Sequence, residues 1–236
     1  MGMNLASPGI AEVSFIILAA LVFYAGSKRY GAFRTGVFLA GALLWTALLE
    51  NFAVLNGGYT YYAYSGLIYP GYPGYLFWVG MVPLWILLGW FVFAMAAYVL
   101  FHDVLLSKRS TVVQATAAGL FALNIDLMMD PAATGNKLWV WLAGSFRTLG
   151  VPLFDFIGWF ILIFLYFVIV STTLFDTRPM AVLGRAEERL FGTLDAAKPG
   201  PDLRRFFFRI VVLEVLVIAF LYYLSNFLDF IARSVL

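Results

Sequence analysis

The sequence predicts an all-α fold, a polytopic transmembrane helical bundle of about six spans, and three observations lead there. Of 236 residues, 63% are hydrophobic and 12% are charged, about half the charge of an ordinary soluble domain. Nearly uncharged apolar runs recur along the chain, each close to the roughly 20 residues that a helix needs to cross hydrocarbon. Charges, Gly and Pro gather between the runs and seldom inside them. The whole of 1–236 reads as a single integral membrane domain.

The runs fall at about 8–26, 33–56, 78–101, 111–130, 152–175 and 206–230. The first has no basic segment before it and no small-residue cleavage site ahead of Ser27-Lys28-Arg29, so it reads as a retained helix and not as a signal peptide. The second carries Glu50 and leads into 57–77, an uncharged connection that holds six of the 13 tyrosines between Tyr59 and Tyr72. An aromatic belt at the membrane surface is the simpler reading of that composition; a lid that admits an apolar substrate from the bilayer is the sharper one. The third run opens with Val82-Pro83-Leu84 and continues to Gly89-Trp90-Phe91. The fifth opens with Val151-Pro152-Leu153 and continues to Gly158-Trp159-Phe160, the same spacing 69 residues later, which suggests a parallel two-helix internal repeat. The third run ends at His102-Asp103, read as a helix-end pair. In the fourth, Pro131 is expected to end the helix just after Asp130. The stretch 176–205 is read as a cytoplasmic loop carrying a short surface helix. In the sixth run, Glu214 is a candidate partner for Arg209.

Twelve of the 15 Lys and Arg lie in the first, third and fifth connections. The positive-inside rule then places both termini and the connections 57–77 and 131–151 outside the cytoplasm, in a multi-pass protein of the cell inner membrane. The basic residues thus speak to orientation and give no sign of nucleic acid binding. With no cysteine and one histidine, the chain cannot build a thiolate zinc site, a haem-thiolate, an iron-sulfur cluster or a histidine-box di-iron centre.

Ionisable groups inside hydrocarbon are costly and mark function. In this topology Glu50, Asp126, Asp130 and Asp155 share one outer slab of the membrane. Asp126 and Asp130 are four apart and lie on one helix face. Glu50, Asp126 and Asp130 sit toward helix C-termini, where the macrodipole disfavours an anion, so they are candidates to carry a proton. Asp155 sits at a helix N-terminus, where an anion is favoured. Glu12 and Asp229 lie near span ends and are expected to snorkel into the headgroups. The chemistry left to carboxylic acids and aromatic rings is proton transfer and cation stabilisation: a protonated alkene becomes a tertiary carbocation held by ring faces. Rings make up 19% of the chain. Asn51, Tyr62, Trp90, Trp141 and Trp159 are the candidate substrate contacts.

Glu50-Asn51-Phe52, Asp126-Leu127-Met128-Met129-Asp130-Pro131 with Trp139 and Trp141, and Gly150-Val151-Pro152-Leu153-Phe154-Asp155-Phe156-Ile157-Gly158-Trp159-Phe160 resemble the motifs of the carotenoid biosynthesis membrane family that includes the carotenoid hydratase and the bisanhydrobacterioruberin hydratase. The resemblance covers about residues 45–165. It implies cofactor-independent, metal-free hydration of the terminal double bond of an acyclic, lycopene-like carotenoid, giving a tertiary alcohol. The implied partners are that carotenoid, the lipid bilayer and other carotenoid enzymes. The expected proton donor is Asp130 or Asp126, with Glu50 assisting. Asp155→Asn is expected to be milder, since an amide still orients water and the family pattern suggests asparagine there. The competing readings are a membrane carotenoid cyclase, a prenyltransferase-like enzyme holding Mg²⁺ on Asn124-x-Asp126-x-x-x-Asp130, and a non-enzymatic lipid or isoprenoid transporter.

Overall fold

A computed structural model describes residues 8–61, 75–136, 138–144, 146–176, 178, 180, 182–193 and 201–235. Helices α1 (Pro8–Tyr30) and α2 (Ala32–Leu55) precede strands β1 (Tyr59–Tyr61), β2 (Trp78–Val79) and β3 (Val82–Pro83). Then come α3 (Leu84–Tyr98), prolonged by a π-helical stretch Val99–Leu105, and α4 (Thr111–Gly135). Strands β4 (Trp139–Trp141), β5 (Arg147–Thr148) and β6 (Val151–Pro152) lead into α5 (Leu153–Val170), prolonged by π-helical Ser171–Phe175. Helices α6 (Gly184–Phe191) and α7 (Leu203–Val235) complete the order. Six helical segments, all but α6, are long and apolar enough to cross a membrane, so the all-α membrane bundle stands.

Burial follows hydropathy. Helix α3 is apolar all round and sits centrally, with Leu87, Phe91 and Tyr98 fully enclosed. Helices α1 and α7 lie at the periphery and leave most of their length toward lipid, which suits apolar side chains in a bilayer. The closest packing joins α4 to α5. Ala115, Ala118, Gly119 and Ala122 are small residues on one α4 face, and a Cβ on Gly119 would come within 2.8 Å of the Phe160 ring. Small residues let the two backbones approach. The same face, continued by one and two turns, carries Asp126 and Asp130.

Several expectations are corrected. The third span begins at Leu84, because 78–83 folds into the hairpin β2-β3 with Val79 opposite Val82. Pro83, at φ −61°, then starts the helix, a position where the missing N–H costs little. Pro131 does not end α4, which runs on to Gly135. A proline removes one ladder bond, and in a packed membrane helix that loss is tolerated. The stop comes at Asn136, whose backbone N–H and side-chain amide both donate to Ala132 O, at 2.9 and 2.7 Å.

Glu12 does not snorkel. It is 1% exposed and accepts the backbone N–H groups of Leu76 and Phe77 at 2.6 and 3.1 Å, so α1 holds the segment that precedes β2. Glu214 does not meet Arg209. That guanidinium is fully buried against Glu187 of α6, with Nε to Oε1 at 2.5 Å and Nη2 to Oε2 at 2.8 Å, and also donates to Thr172 Oγ1 at 2.6 Å. The short helix foreseen in 176–205 is therefore pinned to α7 and to the end of α5. His102-Asp103 is a helix-end pair: Asp103 takes Arg29 Nε at 2.5 Å, His102 Nδ1 at 2.7 Å and the Tyr30 hydroxyl. The tyrosines Tyr59, Tyr61 and Tyr75 are buried and form no surface belt, because β1 pairs antiparallel with β4 in the register Tyr59–Trp141 and Tyr61–Trp139. Tyr62, Tyr64, Tyr69 and Tyr72 lie outside the described residues.

Candidate active site

The four carboxyl groups of Glu50, Asp126, Asp130 and Asp155 converge. The tight α4-α5 contact brings Asp126 and Asp130 against the start of α5, where Asp155 stands three residues after Pro152. Each of these aspartates offers an oxygen within 4.8 Å of the others. Asp126 is 0% and Asp130 3% exposed. Neither oxygen of Asp126 has a hydrogen-bond partner, nor does Asp155 Oδ2. Glu50 approaches from α2 and is differently served: Trp90 Nε1 donates to it at 3.1 Å, and Tyr61 lies near it. Burial, with Glu50 beside it, pushes the Tyr61 phenol well above its ordinary range, so it stays an O–H donor.

Two cavities meet at this cluster. A cleft of about 190 Å³ lies between α2, α5 and α7, and an inner pocket of about 50 Å³ lies between α1, α3 and α4. Glu50, Asp155, Trp90, Trp159, Tyr59 and Trp141 line both and so form their common neck. Asp130 faces the inner pocket only, and Asp126 lines neither. No Lys or Arg among the described residues lines either cavity.

The walls are aromatic. Trp90 and Trp159 stack at the neck with ring centroids 4.2 Å apart, so they both pack and line the cavity. The inner pocket adds Trp85, Trp139, Tyr61 and Phe93. The cleft is lined by apolar Leu162, Ile218 and Leu221 and by polar Asn56, Ser225 and Asn226, of which Asn56 and Asn226 are exposed.

Of the candidate substrate contacts, Trp90, Trp141 and Trp159 line the cavities. Asn51 lines neither: its amide donates to Val79 O at 3.1 Å and accepts Met81 N–H at 2.7 Å, holding the β2-β3 turn. Tyr62 is outside the described residues. Tyr59, Tyr61 and Trp139 line the inner pocket but are not among the substrate contacts named from the sequence. Strand alternation in Tyr59-x-Tyr61 and Trp139-x-Trp141 is the signal that could have found them. The face of α7 is likewise not among them, and only packing reveals it.

Three carboxylates this close could ligate a divalent cation through oxygen. The diphosphate-type motif is not assembled, however, because Asn124 is exposed and donates to Leu120 O at 2.7 Å, away from the aspartates. A family model described as carotenoid biosynthesis protein matches residues 10–196 of this chain. No curated protein and no solved structure matches it.

Proposed function

The chain belongs to the carotenoid biosynthesis protein family, and from that premise we propose that it hydrates the terminal double bond of an acyclic, lycopene-like carotenoid without a cofactor. The observation that supports this reading is the junction of four carboxyl groups with an aromatic pocket that no basic side chain lines. A pocket of about 50 Å³ suits the branched end of a polyene and not its length; the cleft of about 190 Å³ takes the next part of the chain, and the rest remains in the bilayer.

Hydrogen-bond accounting divides the acids. Glu50 accepts the Trp90 N–H and is assigned the part of proton acceptor. Asp126 has no donor near it, only neighbouring carboxyl oxygens, so a shared proton is the one hydrogen bond open to it. Three adjacent carboxyls, two of them buried, also cannot all be ionised. Asp130, facing the pocket with Asp126 behind it, gives its proton to the less substituted carbon of the terminal double bond. A C–H bond forms, the π bond breaks, and the tertiary cation lies among Trp85, Trp90, Trp139 and Trp159, whose faces stabilise positive charge. Water adds through oxygen, Glu50 takes its surplus proton, and transfer within the cluster returns that proton to Asp130. Asp155 at the neck orients the water.

The test is pigment mass analysis after co-expression in a lycopene-accumulating bacterium. A gain of one water is the expected result. An isomeric ring would indicate cyclisation, and binding without chemical change would indicate transport. On purified folded protein, Asp126→Asn, Asp130→Asn and Glu50→Gln are expected to lose activity, by about 10²- to 10⁴-fold for the donor. Near-normal turnover in all three would overturn acid catalysis. The aspartate spacing favours one second reading, a bound divalent cation. Turnover that persists in chelator supports the proton reading, and turnover restored only by Mg²⁺ would replace it.

A further inference from the structure

The neck of the cavity contains polar atoms that the proton transfer does not use. Tyr59 and Trp141 are 7% and 6% exposed, line both the cleft and the inner pocket, and face each other across the β1-β4 pair with ring centroids 4.9 Å apart. Neither the Tyr59 hydroxyl nor Trp141 Nε1 has a hydrogen-bond partner, and the same is true of Asp155 Oδ2 beside them at the neck. Buried polar groups are almost always satisfied, by protein or by water. A buried water needs two to four polar partners and a roomy site. A phenol that can donate or accept, an indole that donates and a carboxyl oxygen that accepts would complete one.

We infer that Tyr59 and Trp141 are positioning residues that hold the nucleophilic water at the neck, between the cleft and the cation. This inference rests on the hydration reading and adds to it the residues that decide how the cation ends. With water in place the cation gains a C–O bond. Without it the cation returns a proton to the carboxylate cluster, leaving an isomeric alkene, or closes on an internal double bond. Both of those outcomes balance in atoms and leave the mass unchanged. Polar residues in the cleft lining, exposed Asn56 and Asn226 with Ser225 of α7, would give water a route to the neck. Helix α7 lies beyond the matched residues 10–196, so that part of the route belongs to this chain outside the matched segment.

The experiment uses the purified full chain in lipid nanodiscs with an acyclic lycopene-type substrate in D₂O. It measures the ratio of alcohol to unhydrated isomers and the deuterium carried by the isomers. Tyr59→Phe removes only the hydroxyl, and Trp141→Phe keeps an aromatic ring opposite Tyr59 while removing the indole N–H together with part of the ring. Each is expected to shift the product ratio away from alcohol by about tenfold, the worth of one hydrogen bond, and the double variant further, with deuterium entering the unhydrated polyene. Tyr59→Phe removes a single oxygen and serves alone if the tryptophan variant does not fold. A merely structural role would lower all products together. An unchanged ratio in Tyr59→Phe, or loss of deuterium incorporation together with alcohol, overturns the water-holding role while leaving hydration intact. A wild-type chain that forms no alcohol overturns the hydration reading, and this inference with it.

Discussion

Counted 69 residues apart, the chain enters α3 and α5 by the same local route. Each helix follows a hairpin with a two-residue turn, begins after a proline at φ −61°, and closes the hairpin with a bond from its first residue, Leu84 N to Phe77 O at 2.9 Å and Leu153 N to Phe146 O at 3.0 Å. Each then presents a tryptophan to the shared stack. The helices before them also correspond, 80 residues apart. Asn56 and Asn136 cap α2 and α4 with the same side-chain bond, to Phe52 O and Ala132 O. Three residues later the chain enters β1 in one case and β4 in the other, and these pair with each other. What matches is local geometry; a two-fold relation of whole halves is a separate claim. The difference lies in the charges. At matched positions Glu50 stands opposite Asp130, Thr46 opposite Asp126 and Ile86 opposite Asp155. Similar backbone scaffolds thus carry one acid at the matched positions of the first half and three in the second.

Exchanging the acids for amides tests that division most severely. Asp130→Asn is expected to lose turnover toward the upper end of the range of about 10²- to 10⁴-fold, and Glu50→Gln toward the lower end. Equal losses, measured as kcat on folded protein, would make the two positions a symmetric pair and break the contrast. Placing an acid where the first half has none is next in size. Ile86→Asp buries a carboxyl at a 9% exposed site and should lower unfolding stability by about 1–3 kcal/mol; an unchanged thermal transition in detergent would mean that the first half accepts acids as readily as the second.

The two tryptophans differ in one hydrogen bond. Trp90→Phe removes the donor to Glu50 and should cost about 1.5 kcal/mol in kcat/KM, whereas Trp159→Phe should cost less than that, and the reverse order would place the important indole on the second half. The smallest effect concerns the caps. Asn56→Ala and Asn136→Ala should each cost about 0.5 kcal/mol in stability, and a clear inequality would show that the matched ends are not equivalent in energy.

The fold was readable at the level that solvent dictates. Apolar run length requires six helices because a bilayer offers no partner for exposed backbone, and the acids were recognisable because carboxyls are expensive there. Helix ends set by packing were less legible: Pro131 reads as a stop, yet α4 continues past it because neighbouring helices support the turn. Glu12 illustrates the same limit, since its position near a span end suggests a headgroup ligand, and only the arrival of Leu76 and Phe77 from a distant part of the chain gives it two backbone N–H groups to accept.

By itself, then, the sequence determined the class, the span count, the acid residues and the Gly-Trp landmarks, all of which follow from composition and spacing along one chain. Tertiary structure alone decided which acids touch the cavity, that Asn51 serves a turn, that Tyr61 and Trp90 both face Glu50, and that α7 walls the cleft. Those outcomes depend on contacts between segments tens to more than a hundred residues apart, whose mutual approach is set by small-residue helix packing and by the β1-β4 pairing, and such long-range geometry has no local periodic signature.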